Sequence, residues 1–400
     1  MPQNKRVLVA MSGGVDSSVT AYLLREAGYE CEGATMRLTC SREFGEAGPR
    51  SCCSLQDIAD AQAVCERLGI PHRVLDMREA FERAVVDKFV DTYEDGRTPN
   101  PCIDCNRYLK FGALLDYALA HGFDHIATGH YARIGELAGT DGAPTPLLAR
   151  IAELAGGAPF RTLSLGVDAS KDQSYVLYAL TQERLAHVLL PLGGLVKGRD
   201  VRRIAEEQGF SNAGKPDSQG ICFVPDGNFA SYIERRRGRV LPEGDILDVG
   251  GQVIGRHQGA LRYTVGQRKG LGVAMLHPVY VTRVDARANT VTLGEQEDLM
   301  SGALVANDWV WSAPASAMER LLDEAGDRGL AVEAKIRYHQ GGQGARLTWA
   351  DADPGATGAR RGRMLKVSFD PPQRAIAPGQ AVVVYSGGVV LGGGTCVRAL

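Results

Sequence analysis

The residues able to do chemistry fall into three short segments. The first is Met11-Ser12-Gly13-Gly14-Val15-Asp16-Ser17-Ser18. Paired glycines let a backbone approach a phosphate closely, successive N–H groups at a helix start present positive charge to it, and Ser12, Ser17 and Ser18 add hydroxyl donors. No lysine follows the glycines, so this is not the GxxxxGK[ST] loop, and the spacing is not that of the dinucleotide GxGxxG turn. The second segment is Thr98-Pro99-Asn100-Pro101-Cys102-Ile103-Asp104-Cys105-Asn106-Arg107. Its prolines fix an extended loop, and Cys105 falls near the start of the following helix, where partial positive charge lowers a thiol pKa from about 8.5. The third, Gly214-Lys215-Pro216-Asp217-Ser218-Gln219-Gly220-Ile221-Cys222-Phe223, is a Gly- and Pro-punctuated loop in which Gly220 frees the backbone beside Cys222. Either thiol also has a plain reading as a small buried hydrophobe.

Elements that must position these segments can be read from patterning. Short apolar runs at Arg6 to Ala10, Cys31 to Arg37, His72 to Leu75 and His125 to Ala127 alternate with helical patterns, which predicts a parallel sheet flanked by helices. The helix after the glycines closes at Gly28. Ser54 with Asp57 opens another, along which Ile58, Ala61, Cys65 and Leu68 recur at helical spacing until Gly69 and Pro71, so Cys65 reads as core. Residues Gly135 to Arg161, rich in Ala, Gly and Pro, read as a surface insertion. After about residue 218 helical periodicity fades. Leu261 to Val265, Val279 to Val284 and Thr290 to Leu293 predict a β-rich centre, and Val332 to Tyr338, Arg346 to Trp349, Met364 to Phe369 and Ala381 to Tyr385 a small barrel or sandwich. The stretch Ala350 to Arg363 reads as a flexible hairpin tip.

At 400 residues the chain is long enough for two or three domains, and its net charge of -2 neither proposes nor excludes a polyanionic partner. Charge distribution says more. No Asp or Glu occurs from Val249 through Val284, where Arg256, His257, Arg262, Arg268, Lys269 and Arg283 stand, and Arg235, Arg236, Arg237 and Arg239 precede it. That pattern predicts a basic surface, or else solvated loops. No stretch approaches the roughly 18 apolar residues of a membrane helix, which predicts a cytoplasmic protein. Nine cysteines, an odd number, argue against a disulfide framework, and Cys31, Cys40 and Cys396 read as bystanders.

The first segment resembles the PP-loop of ATP pyrophosphatases, which split ATP into AMP and pyrophosphate. Together with Thr128-Gly129-His130-Tyr131, Lys171-Asp172-Gln173-Ser174-Tyr175 and Tyr263-Thr264-Val265-Gly266-Gln267-Arg268-Lys269-Gly270, the three segments resemble, in order, the tRNA-specific 2-thiouridylase (MnmA) family. The resemblance implies a PP-loop, adenine nucleotide alpha hydrolase-like α/β domain over 1–218, a central β-rich tRNA-binding domain over 219–288 and a C-terminal β-barrel over 289–400. It implies that Ala10, Met11, Ser12, Gly13, Gly14, Val15, Asp16 and Ser17 line ATP, completed by Met36 and Gly129. It makes Cys105 the nucleophile and Cys222 the persulfide carrier, which react through a transient disulfide or by releasing sulfide. Asn100, Pro101 and Cys102 would touch the target base, and His130, Lys171, Asp172, Gln173, Arg337, Tyr338 and Gln380 the tRNA. Some members carry Asp where this chain has Cys102, so an acid-base role there would pass to the thiol or to Asp104. Mg²⁺ is expected on the phosphates, with Asp16 as a ligand, and a persulfide-donating protein as partner.

Two rival readings compete. A PP-loop synthetase acting on a small carboxylate or amide would use the first segment and leave both thiols idle. A metal or iron-sulfur module would use Cys102, Cys105 and Cys222, with Cys52 and Cys53 nearby, although the spacing is not that of a zinc site.

Overall fold

The computed structural model describes residues 4–38, 55–217, 220–350 and 364–400. Ser54, Cys40, Cys52, Cys53 and the tip 351–363 lie outside the described residues.

Val7, Leu8 and Val9 are fully buried, the mark of a strand covered on both faces. This strand, β1 (Arg6–Ala10), is the middle of a sheet that also contains β2 (Glu30–Arg37), β3 (His72–Asp76) and β4 (His125–Ala127). The chain then leaves the sheet for antiparallel β5 (Ala132–Leu137) and β6 (Phe160–Leu165) before returning as β7 (Val188–Leu189). All pairs in the sheet are parallel, in the order β3-β2-β1-β4-β7. Strand order therefore reverses between β1 and β4, and the carboxyl ends of those two strands flank the crevice where ligands of such sheets bind.

The middle of the chain opens with the helix Phe229–Arg237, stopped by Gly238 in the left-handed region at φ 64°. Four strands follow, β8 (Gly244–Leu247), β9 (Val253–His257), β10 (Tyr280–Asp285) and β11 (Thr290–Gly294), in the order β10-β11-β8-β9 around Ile246, Val281 and Val291. The expected strand Leu261 to Val265 does not form. Gly259 and Gly266, at φ 114° and 90°, bend the chain at both ends, and Ala260–Arg262 makes a single tight turn.

The last part is a closed barrel of β12 (Met300–Trp311), β13 (Leu330–Lys335), β14 (Gln343–Ala350), β15 (Met364–Arg374), β16 (Ala381–Ser386) and β17 (Val389–Ala399). Pairing of β12 with both β15 and β17 closes six strands. Residues 135–161 are not a surface insertion. Val389 and Val390 of β17 pair with Ser164 and Leu163 of β6, and the helix Pro146–Leu154 between β5 and β6 sends Leu148 and Ile151 into the barrel-side core with Leu322 and Leu391. Its helical stripe is short, and the Gly and Pro on either side obscured it.

Candidate functional site

The phosphate-type loop lies at the carboxyl end of β1, at the reversal point. Gly14 caps the helix Val15–Glu26 from an extended conformation, and no side chain caps its N-terminus. The first-turn N–H groups are thus left for an anion, which is the fit a phosphate needs. Ser17 turns its hydroxyl inward, donating to Gly14 O at 2.9 Å and accepting from Ser12 N at 3.2 Å. Gly13 sits at φ 71°, and a Cβ there would meet Asp57 O at 2.3 Å. On the other side of the crevice Gly129 follows β4, and a Cβ on it would lie 2.9 Å from the Asp16 backbone. Met11 and Val15 are buried, so they can offer only backbone to a ligand.

Asp16 does not fit a metal-ligand role. Tyr131 OH donates to one of its oxygens at 2.7 Å and Lys197 Nζ to the other at 2.7 Å. Among the described residues no group of three or more His, Cys, Asp or Glu is arranged to hold a metal ion.

Sequence reasoning missed the polar frame behind this loop. Asn212 Nδ2 donates to Gly13 O at 3.1 Å and Ser18 Oγ at 2.9 Å, while Lys215 Nζ reaches Gly13 O at 3.2 Å, Asp57 at 2.6 Å and Asp60 at 2.7 Å. Lys215 and Asp217 were visible as part of a motif. Lys197 was not, since a lone lysine in Leu195-Val196-Lys197-Gly198 carries no spacing signal.

The thiol segment Thr98–Arg107 begins its helix at Pro101, four residues before Cys105. Cys102 therefore occupies the first turn and is exposed, and Cys105 follows at the start of a wider π-type stretch, half-buried. Proline at this first position has no N–H to leave unsatisfied. The barrel holds both ends of the segment. Thr98 N donates to Pro378 O at 2.8 Å, Gln380 Nε2 to Thr98 O at 3.2 Å, and Arg107 makes a forked pair with Asp308 at 2.5 and 3.1 Å. Asp104 is buried against Lys88 at 2.6 Å. Burial raises the carboxyl pKa above its ordinary value, against the pull of Lys88. A cleft of 390 Å³ opens between this helix and the barrel, lined among others by Asn100, Asp104, Arg107 and Asp308.

Cys222 follows Gly220, which adopts φ 79°, and precedes Phe223, buried edge-on against Phe81 and Phe89. Ala10, Met36, Cys105, Cys222 and Tyr338 are partly buried against the large apolar core that joins the parallel-sheet unit, through Leu8 and Ile126, to the barrel, through Val383 and Tyr385. Cys65, by contrast, is fully buried, and desolvation pushes its thiol up to about 12.

Several residues expected at the RNA surface have partners within the molecule, with His130 buried, Lys171 half-buried and Arg337 exposed. His130 is buried, its Nδ1 2.6 Å from Thr128 Oγ1, and burial pushes its pKa well below the ordinary value. Gln173 accepts from Tyr131 N at 2.9 Å, and Asp172 accepts from Gly166 N and from Ser174 N and Oγ. Lys171 pairs with Asp217 at 2.9 Å, and Arg337 donates to the carbonyls of Arg374 and Ala375 at 2.6 Å. The arginine run stays at the surface but is paired there with acids. Arg236 pairs with Glu82 and Asp87, Arg237 with Asp91 and Glu94, and Arg239 with Glu94. Acids outside the acid-free stretch also reach Arg256, Arg262 and Arg283, which are exposed, as are Arg268 and Lys269.

A glycine-bent, uncapped helix start at the reversal point of a parallel sheet, with two β units behind it, defines a HUP-type protein with accessory β domains. Family models agree along the chain: a tRNA methyl transferase HUP domain over residues 5–226, a tRNA methyl transferase PRC-barrel domain over 230–295 and an aminomethyltransferase beta-barrel domain over 301–396. The chain belongs to the tRNA-specific 2-thiouridylase family. It is 45% identical to the tRNA-specific 2-thiouridylase MnmA of Carboxydothermus hydrogenoformans, covering 99% of this chain and 98% of that one. It is also 45% identical to the protein of the same name from Symbiobacterium thermophilum, over 100% and 94% of the two chains. A 4-thiouridine synthetase solved with RNA and bound ATP aligns over 58% of this chain and 50% of that one, at 16% identity and a TM-score of 0.34, too distant to add weight.

Proposed function

We propose that the protein uses ATP to replace the C2 oxygen of the wobble uridine of tRNA with sulfur carried on Cys222. The observation that carries this reading is the uncapped, glycine-bent helix start at the reversal point of the parallel sheet, in a chain whose relatives are named tRNA-specific 2-thiouridylases. The family model is described by methyl transfer, but the relatives at 45% identity are named 2-thiouridylases, and Cys105 and Cys222 offer the thiols that sulfur chemistry needs.

A ring carbonyl oxygen leaves poorly, and ATP supplies the cure by converting it into part of AMP. The uncapped helix start with Ser12 and Ser17 holds the phosphates while the uracil oxygen attacks the α-phosphorus and pyrophosphate departs. The terminal sulfur of a Cys222 persulfide then attacks C2, and AMP leaves with the old oxygen. Cys105, as thiolate, attacks Cys222 Sγ and breaks the S–S bond. Sulfur stays on C2 and a Cys105–Cys222 disulfide forms, which a dithiol reductant reopens. A persulfide-donating protein reloads Cys222, and the cytoplasm is where these partners meet. Arg268 and Lys269 in the central unit, with the cleft beside Asn100 and Asp104, are the surfaces we assign to RNA. Asp104, held uncharged more readily by its burial, is the group we assign to proton transfer in place of the Asp that some members carry at position 102.

The test supplies purified protein with ATP, Mg²⁺, a persulfide donor and unmodified tRNA, and follows 2-thiouridine by nucleoside mass spectrometry. Product is expected from wild type and none from Cys105→Ser or Cys222→Ser, with ATP affinity within about twofold in both because serine keeps the size and backbone of the cysteine it replaces. Undiminished thiolation in both variants would refute the thiol assignment, and absence of ATP binding would refute the nucleotide site.

A further inference from the structure

We infer that Asn212 is a positioning residue that aims the N–H groups of the nucleotide loop at the phosphates, an inference that rests on the ATP assignment above. Its side-chain amide reaches the loop from 199 positions farther along the chain, where Nδ2 donates to Gly13 O at 3.1 Å and to Ser18 Oγ at 2.9 Å. A carbonyl can only accept, so the atom facing Gly13 O is the nitrogen. Ser18 passes the second contact on, its hydroxyl donating to Gly14 O at 3.1 Å. One amide thus controls the carbonyls of both glycines.

A trans peptide is planar, and its C=O and N–H point opposite ways. Fixing the carbonyls of Gly13 and Gly14 therefore fixes the directions of the Gly14 and Val15 N–H groups, which stand at a helix start that no side chain caps and are there for an anion. The glycines supply no stiffness of their own. With no Cβ at either position, the peptide between them turns against little resistance, so its orientation must be imposed from outside the loop. Lys215 contributes in part: its Nζ lies 3.2 Å from Gly13 O, but it is also engaged by Asp57 at 2.6 Å and Asp60 at 2.7 Å. Asn212 has no such competing duty. The residue is only 3% exposed, and among the described residues its Oδ1 has no hydrogen-bond partner. A buried acceptor without a partner destabilises the folded chain, and an apolar side chain of similar size would fill the space without that cost. Asparagine is therefore explained here by its donor and not by its volume.

The experiment titrates the full-length protein calorimetrically with two ligands, Mg-α,β-methylene-ATP and adenosine, which shares the nucleoside but has no phosphate for the loop to hold. In Asn212→Leu, close in volume but without a donor, affinity for the analogue should fall about tenfold, the worth of one hydrogen bond to a charged group. Affinity for adenosine should stay within about twofold, as expected for contacts remote from the change. Asn212→Asp, nearly identical in shape, should lose analogue affinity at least as far, since a carboxylate oxygen cannot donate to Gly13 O. A role in packing alone would weaken both ligands together or neither. Equal loss for the two ligands overturns the inference, and so does undiminished analogue affinity in Asn212→Leu. If Asn212→Leu fails to fold, Asn212→Ala takes its place and is read by the same two outcomes. Wild-type protein that does not bind the analogue removes instead the ATP reading on which the inference stands.

Discussion

Gly13 admits no other residue. Its φ of 71° disfavours any side chain, and a Cβ would collide with the Asp57 backbone at 2.3 Å, a neighbour that cannot give way as a flexible side chain could. Gly13→Ala should weaken nucleotide binding by at least roughly tenfold in calorimetry, because the loop must open to admit the methyl group and its N–H groups then lose their common focus. Histidine burial makes a separate statement about pH. His72, His125, His130 and His257 all have their pKa lowered by burial. The unfolded chain takes up protons at these positions near pH 6.5 and the folded one resists, so their contribution to stability is complete above about pH 6.5 and declines as the pH falls below it. The melting temperature should therefore drop between about pH 7 and about pH 5, and His130→Gln should make that drop shallower in scanning calorimetry. An unchanged slope in the variant would remove His130 from the explanation.

Among the elements, four of the five strands of the parallel sheet were readable from local runs alone, because Val7 to Val9 and Cys31 to Thr35 are buried on both faces and glycines such as Gly28 and Gly69 stop the intervening helices at positive φ; the two-residue β7 was too short to leave a run. The phosphate loop and both thiols were readable for a similar reason, each being complete within about ten residues. What escaped notice depends on distant partners. Leu148 and Ile151 find their core in strands more than 150 positions later, and Arg236 finds Asp87 at a separation of 149. A run of arginines next to an acid-free stretch gives no hint that an acidic helix elsewhere claims three of them. The correction has a measurable consequence for RNA. Arg268→Ala and Lys269→Ala, at exposed sites, should each weaken tRNA binding and reduce the slope of log affinity against log salt by up to about 1. Arg237→Ala, whose guanidinium is held by Asp91 and Glu94, should leave that slope nearly unchanged, and an equal loss for all three would return the arginine run to the RNA surface.

For the whole molecule, the barrel and the parallel-sheet unit are stapled together by β5, the helix Pro146–Leu154 and β6. Ile151→Ala removes a fully buried side chain from the barrel-side core and should cost about 2–5 kcal/mol. Because that core is built from both units, the loss should lower a single cooperative calorimetric transition; separation into two peaks, with only one shifted, would show the units melting independently. The same staple bears on how the chain is made. On a ribosome, Leu148, Ile151 and Phe160 emerge long before Leu391, the β17 residue packed in the same core, has been translated. At roughly 5–20 residues per second the nascent protein carries an uncovered greasy face for about 10–50 seconds. Newborn copies should lean on chaperones throughout that interval, and a stop codon anywhere before β17 should yield aggregate even though Cys105, Cys222 and the glycine loop are already complete.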